Sequence, residues 1–429
     1  MQNAAKQSTP AATSPDPCGR GGRRYDRSRD PFRWLVLFGV WLIYCSFGIV
    51  IVSLAPLVPE IMQDLAVSHT MMGAIFGSWQ VAFIIAAVPC GALLDHIGVR
   101  RGLLLGAFAV ALSAFMRSYA NSDIALLFAV AIFGLGGPIV STGAPKIVTQ
   151  WFAGQERGFA MGIYVTGPAV GGIISLSLTN ALLLPLFDND WRAVQRLWAV
   201  CAVTTGMLWL IIAAHPRMRD AEQRERQGTK PSQLSTIKEL LQLPAVQLLM
   251  AMSVGIFAFN HALNNWLPEI LRAKGLTAVE AGYWASVPTV IGLIGSLTIP
   301  RLATAERRNA MLIALCAGAV IATLLIHAQP GTALASGLIL QGVARSSMMT
   351  IALLILVEMR EIGEARAATA SGLFFSAAEV GGAGGPLMLG AVHSATGGFA
   401  AGLGILTIVT SLLLAASICL RTKLGNVVT

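Results

Sequence analysis

The sequence predicts an all-α polytopic membrane protein, with twelve transmembrane helices arranged as two pseudo-symmetric six-helix bundles. Three observations lead there. The 429 residues are 55% hydrophobic and only 12% charged, against about a quarter charged in soluble domains, too little charge to cover a soluble globule of this size. Apolar stretches close to the length of a bilayer crossing recur twelve times along the chain. The last six of them echo the first six at a nearly constant offset.

In order, the stretches lie near 33–57, 71–94, 102–120, 124–150, 158–186, 194–214, 245–270, 279–300, 309–328, 332–357, 366–392 and 398–420, with the fifth interrupted by Gly and Pro. This divides the chain into a basic tail (1–32), a first bundle (33–214), a linker (215–243), a second bundle (244–421) and a short tail (422–429). The tail before Pro31 is rich in Ser, Pro, Gly and Arg and has no apolar run of the signal-peptide kind. It reads as a disordered segment. In the linker, Gln233 to Leu243 can form a short amphipathic helix on the membrane surface.

An even number of crossings puts both ends on one side, and charge says which. Arg20, Arg23, Arg24, Arg27, Arg29 and Arg33 precede the first helix, and the loops on the same side carry Arg100, Arg101, Arg157, Arg217, Lys238, Arg307, Arg308 and Arg360. The opposite loops hold Glu60, Asp64, Asp188, Asp190, Glu269 and Glu280. Excess Lys and Arg mark the cytoplasmic side, so both termini are expected there, in a plasma membrane of the bacterial inner-membrane kind. The net charge of +9 is then a topology signal, and no nucleic-acid binding is read into it. Cys18, Cys45, Cys90, Cys201, Cys316 and Cys419 show no metal-ligand spacing, and no cofactor is expected.

The repeat rests on three echoes in order. Pro59-Glu60-Ile61, followed by Gly73, returns as Pro268-Glu269-Ile270 followed by Gly282, 209 residues later. Gly162 to Gly172 aligns with Gly372 to Gly382 at 210, and Arg100-Arg101 is echoed by Arg307-Arg308.

Between the second and third stretches the chain reads Gly91-Ala-Leu-Leu-Asp95-His96-Ile-Gly98-Val-Arg100-Arg101. This resembles the loop between the second and third helices of the major facilitator superfamily, Gly-x-x-x-Asp-Arg/Lys-x-Gly-x-Arg/Lys-Arg/Lys, with His96 in place of a fixed cation. The resemblance covers about 33–420. It implies two parallel halves that rock about a midplane site, helices 1, 4, 7 and 10 lining the cavity, and a gating role for Gly91, Asp95, Gly98, Arg100 and Arg101. His96 would make that loop's charge network weaker or pH-sensitive. An ordinary basic loop is the plainer reading. Gly-Pro-x-x-Gly-Gly at 167–172 resembles the core of a motif of antiporter branches, although Ile163 stands where that motif has glycine.

Polar residues inside the spans are the candidate site, because charge in a bilayer is costly unless it is used. Arg345 falls near the middle of helix 10 and Glu379 near the middle of helix 11. Either the two form a structural ion pair, or Arg345 anchors substrate with Glu379 as counter-ion or proton carrier. In the repeat, Leu135 and Ala169 stand where the second half has these charges, so the shared fold does not require them. Asn260, His261, Asn264 and Asn265 form a polar face on helix 7, since residues four apart are neighbours, and Gln341 shares Arg345's face. Tyr44, Tyr164 and Gln80 are the first-half candidates.

No paired catalytic carboxylates, nucleophile elbow or Gly-Lys-Ser/Thr phosphate loop occurs, so no enzymatic reaction and no built-in ATPase is expected. The expectation is a secondary active transporter, most simply a monomer in the lipid bilayer. It would carry a small, organic anion held by Arg345 and couple to protons through Glu379 or His261. A multidrug or cation/proton antiporter is the rival, and a non-transporting sensor on the same fold is the third reading.

Overall fold

The computed structural model describes residues 30–218, 234–304, 306–359 and 361–425. Twelve long helices run through them: α1 (Phe32–Val52), α2 (His69–Ile97), α3 (Val99–Ser118), α4 (Asp123–Trp151), α5 (Gly154–Leu178), α6 (Trp191–Ala214), α7 (Pro244–Ala273), α8 (Ala278–Leu302), α9 (Arg308–Ile326), α10 (Thr332–Val357), α11 (Gly363–Thr396) and α12 (Ala400–Gly425). No strand occurs among the described residues. Among the described residues, eleven spans are long and apolar enough to cross a membrane. The remaining long helix, α11, is the longest of the twelve and the one rich in Gly, Ala and Ser around Glu379. Exposed side chains such as Ile85, Phe108, Ile211 and Leu412 turn an apolar surface outward, as a hydrocarbon solvent demands.

Local chemistry sets the helix ends. Ser68 and Ser122 accept the Met71 and Ala125 amides to cap α2 and α4, and Thr277 with Glu280 forms a reciprocal capping box on α8. Gly98, at φ +85°, makes the turn from α2 to α3. Two elements depart from the expected spans. The helix α1 stops at Val52 and resumes, after the turn Ala55–Leu57, as a short helix over Val58–Leu65, because Pro56 has no amide to continue it. Its repeat partner α7 has Asn265 at that position and runs unbroken through Pro268. The helix α5 passes straight through Pro168 and is interrupted only at its far end, by a π-turn over Thr179–Leu183. In the linker, Leu234–Leu241 is helical with Leu240 fully buried; residues 1–29, 219–233 and 426–429 lie outside the described residues.

Packing repeats every six helices. Helix α1 lies on α5 and α6, α2 on α4, and α3 on α4 and α6; α7 lies on α11 and α12, α8 on α10, and α9 on α10 and α12. Matched glycines allow it. A Cβ on Gly171 would stand 2.0 Å from the Cys45 carbonyl oxygen, and one on Gly381 1.9 Å from that of Val254, so both contacts are backbone on backbone. The halves meet through α2 with α11 and, less extensively, α5 with α8. At the end away from the termini this seam is held by Thr70 Oγ1 with Ser394 Oγ (2.9 Å), Asn180 Nδ2 donating to the Ala278 carbonyl (3.2 Å) and Arg272 with Glu60 (3.8 Å).

Candidate functional site

The seam between α2 and α11 carries its polar cluster near mid-height. Gln80, fully buried on α2, donates from Nε2 to the Gly382 carbonyl (3.1 Å) and to His261 Nδ1 on α7 (3.3 Å). Accepting there leaves the imidazole proton on Nε2. Glu379 reaches the same place: its Oε2 would be 3.1 Å from a Cβ on Gly382, and His261 Cδ2 3.4 Å from it. A side chain at 382 would crowd all three, at 3.1–3.4 Å. Trp79 and Phe257 flank the His261 ring, at 5.7 and 5.1 Å between centroids.

Arg345 stands midway along α10, half-buried. Its guanidinium makes one long hydrogen bond, Nη1 to Thr289 Oγ1 on α8 at 3.5 Å. No ion pair joins it to Glu379, which corrects one of the two sequence readings. The reason is packing. Although consecutive in the chain, α10 lies mainly on α8 and α9, and α11 mainly on α7 and α2. The two opposite charges therefore sit on different helix pairs with no ion pair between them.

The remaining candidates divide. Gln341 is fully buried and both its amide atoms lack a partner; Asn260 Oδ1, Gln80 Oε1 and Glu379 Oε2 are likewise buried and unpartnered. Buried polar atoms are rarely left so, and here four side chains near mid-span share that condition. Asn264 is half-buried, whereas Asn265 is spent on its own helix, donating to the His261 carbonyl at 2.8 Å. Tyr44 and Tyr164 meet edge to face at 5.2 Å, and the Tyr44 hydroxyl donates to the Val140 carbonyl (3.3 Å). From Tyr44 an aromatic row runs through Phe47, Phe133 and Trp79 to His261. The first-half tyrosines and the second-half histidine are thus ends of one contiguous set.

The loop candidates lie elsewhere. Arg100 is anchored within the first half, donating to the Ala213 carbonyl at 2.8 Å while its own carbonyl accepts from Trp209. Arg101 is exposed, Gly91 has open space about it, and the side chain of Asp95 lies outside the described residues. Sequence reasoning missed Thr289, the partner of Arg345, although the repeat offset of 209 carries Gln80 onto it. It also missed Arg117, fully buried in the last turn of α3.

The sequence profile of the Major Facilitator Superfamily matches residues 36–386. The chain belongs to this superfamily. Among its relatives, the probable galactarate/D-glucarate transporter GudP of Escherichia coli (strain K12) is 23% identical over 265 residues, 56% of this chain and 58% of that protein. The chain therefore covers less than two thirds of that relative. The uncharacterized transporter YycB of Bacillus subtilis (strain 168) is 23% identical over 85% of this chain and 87% of YycB. Among solved structures, the bacterial homologue of the human lysosomal transporter Spinster, inward-facing and occupied, superposes with a TM-score of 0.70 at 16% identity, covering 92% of this chain and 97% of that one. At that identity the likeness speaks for the superfamily fold.

Proposed function

We propose that the chain is a secondary active transporter that moves a small hydroxylated carboxylate by alternating access, with Arg345 holding the carboxylate and Glu379, beside His261, carrying a proton. The observation that carries this reading is the uncompensated guanidinium of Arg345. A mid-span cation is expensive, and this one has a long hydrogen bond to Thr289 and no acidic partner among the described residues. A planar carboxylate fits its fork. The unpartnered oxygens of Asn260, Gln80 and Gln341 are acceptors suited to substrate hydroxyls, and a relative named for galactarate and D-glucarate agrees with that class. In this reading 33–214 and 244–421 are the rocking halves, the basic loops and both termini are cytoplasmic in a bacterial inner membrane, and the protein works as a monomer.

The rival, cation/proton antiport, draws on Glu379, whose buried Oε2 also lacks a partner. Thermal stabilisation of the purified protein separates the two, since a ligand stabilises the state that binds it. Hydroxylated carboxylates should raise the melting temperature, and Arg345→Ala should abolish that rise. If lipophilic cations alone stabilise, and Glu379→Gln rather than Arg345→Ala removes the effect, the anion reading fails and the rival replaces it.

A further inference from the structure

At the end of the bundle away from the termini, His69 opens α2 and His393 lies in the last turn of α11, one from each half. Their imidazoles stack with centroids 3.7 Å apart and planes inclined by 23°. Trp266 of α7 stacks on His69 at 5.8 Å, and Phe399, just before α12, lies 4.4 Å from His393. Beside them Thr70 and Ser394 are hydrogen-bonded, and the His69 carbonyl would be only 2.2 Å from a Cβ on Gly390. The two halves therefore touch, ring on ring and backbone on backbone, at this point. His393 Nδ1 is buried without a partner.

We propose that the stacked His69–His393 pair is a proton-binding site that latches this end shut while neutral and releases it when both rings are protonated. The argument is geometric. One imidazolium can rest on aromatic faces, but two unit charges at this separation repel. Trp266 and Phe399 lie against the two half-buried rings, so water weakens that repulsion without removing it. Parted rings are hydrated and titrate in the ordinary histidine range, near 6.5. The open state thus binds more protons than the closed one, and acid shifts the balance toward opening, by up to about tenfold per pH unit for each extra proton.

The neighbouring charged groups do not pair with either ring. Glu60 lies against Arg272, Asp64 against Arg192, and Lys274 donates to the His327 carbonyl. The His327 ring is held between the Thr323 and Ala400 carbonyls. Glu269, one turn beyond Trp266 on α7, and Glu60 are both half-buried with Oε2 unpartnered, and Glu60→Gln, like Glu269→Gln, should leave the pH response in place.

The test measures opening directly. Spin labels go on Asn121→Cys and Gln329→Cys, exposed positions in the α3–α4 and α9–α10 loops, in full-length protein whose native cysteines are replaced by alanine. Distances are read by pulsed electron resonance in lipid nanodiscs at pH 7.5 and 5.5. The longer distance should gain severalfold in population at the lower pH. His69→Phe/His393→Phe keeps an aromatic stack that cannot charge, and should hold one distribution at both pH values. His393→Phe alone, leaving a single ring, should also flatten the response, while Glu269→Gln should preserve it. A pH response that survives in the monodisperse double variant, that vanishes in Glu269→Gln or Glu60→Gln, or that is missing from the parent protein overturns the proposal. It rests on reading the chain as an alternating-access transporter, but no substrate enters the measurement, so its failure leaves that reading untouched.

Discussion

Two arginines inside the bundle, one in each half, put the same side chain to opposite uses. Arg117, in the last turn of α3, is 1% exposed; it donates to the Val50 carbonyl at 2.7 Å and to Ser53 Oγ at 3.3 Å, and lies 5.7 Å over the Phe133 ring. Those acceptors sit where α1 stops short of Pro56, so the guanidinium braces a helix end. Arg345 has one contact at the outer limit of a hydrogen bond, in a region where other polar atoms also lack partners. Arg117 makes both of its bonds through Nη1, with Nε buried and unpartnered, so what marks it as structural is two contacts to one helix end. Arg345 has no helix end to brace and one long contact, and the proposal gives that guanidinium a substrate carboxylate to hold.

The largest expected effect tests that distinction. Arg345→Ala should reduce kcat/KM for a carboxylate substrate in proteoliposomes by about 100-fold or more, since truncating a buried hydrogen-bonded charge costs about 2–5 kcal/mol. Its melting temperature should change little. Arg345→Lys keeps the charge without the planar fork and should fall between. Normal uptake by correctly inserted Arg345→Ala would end the comparison.

Glu379 comes next. If it carries the proton, Glu379→Gln should still exchange substrate across the membrane but should lose the accumulation that a pH gradient drives, about tenfold per pH unit for one coupled proton. Accumulation with an unaltered pH dependence would make Glu379 a structural group and place the proton elsewhere.

Arg117→Ala should then show the reverse of Arg345→Ala. It leaves the Val50 carbonyl without its charged donor in a buried place, a loss of about 1–3 kcal/mol. Unfolding should come earlier, while transport per folded molecule persists. If instead stability holds and transport collapses, Arg117 belongs to the substrate path and the two arginines are not opposites.

Much of the fold was legible because hydropathy and charge are written along one chain. The span 332–357 is helical over those same residues in α10, and the Gly162–Gly172 echo of Gly372–Gly382 reappears as the matched approaches of Gly171 and Gly381. The site was legible only as a set of polar residues, because no spacing tells which helix faces which. Gln80 and His261 are 181 residues apart and touch, whereas Arg345 and Glu379, on consecutive helices, do not pair. Arg117 closed an apolar stretch like any residue reaching for the interface; its true partner is a helix break in α1, which shows only once the chain is folded.

The smallest effect comes from a third kind of arginine. Arg196, on α6, forms an ion pair with Asp190 at 2.8 Å, but the two side chains are 45% and 44% exposed. Water and salt screen such a pair, and ordering two flexible side chains offsets most of its attraction, so exposed pairs contribute about 0–1 kcal/mol. Asp190 also accepts the Arg192 amide at the start of α6, a cap that Arg196→Ala leaves in place. The variant should therefore unfold within about 1 kcal/mol of the parent and transport normally, with any difference shrinking as salt is added. A loss as large as that of Arg117→Ala would mean that exposure fails to rank these arginines. Burial would then not explain why Arg117 holds the fold.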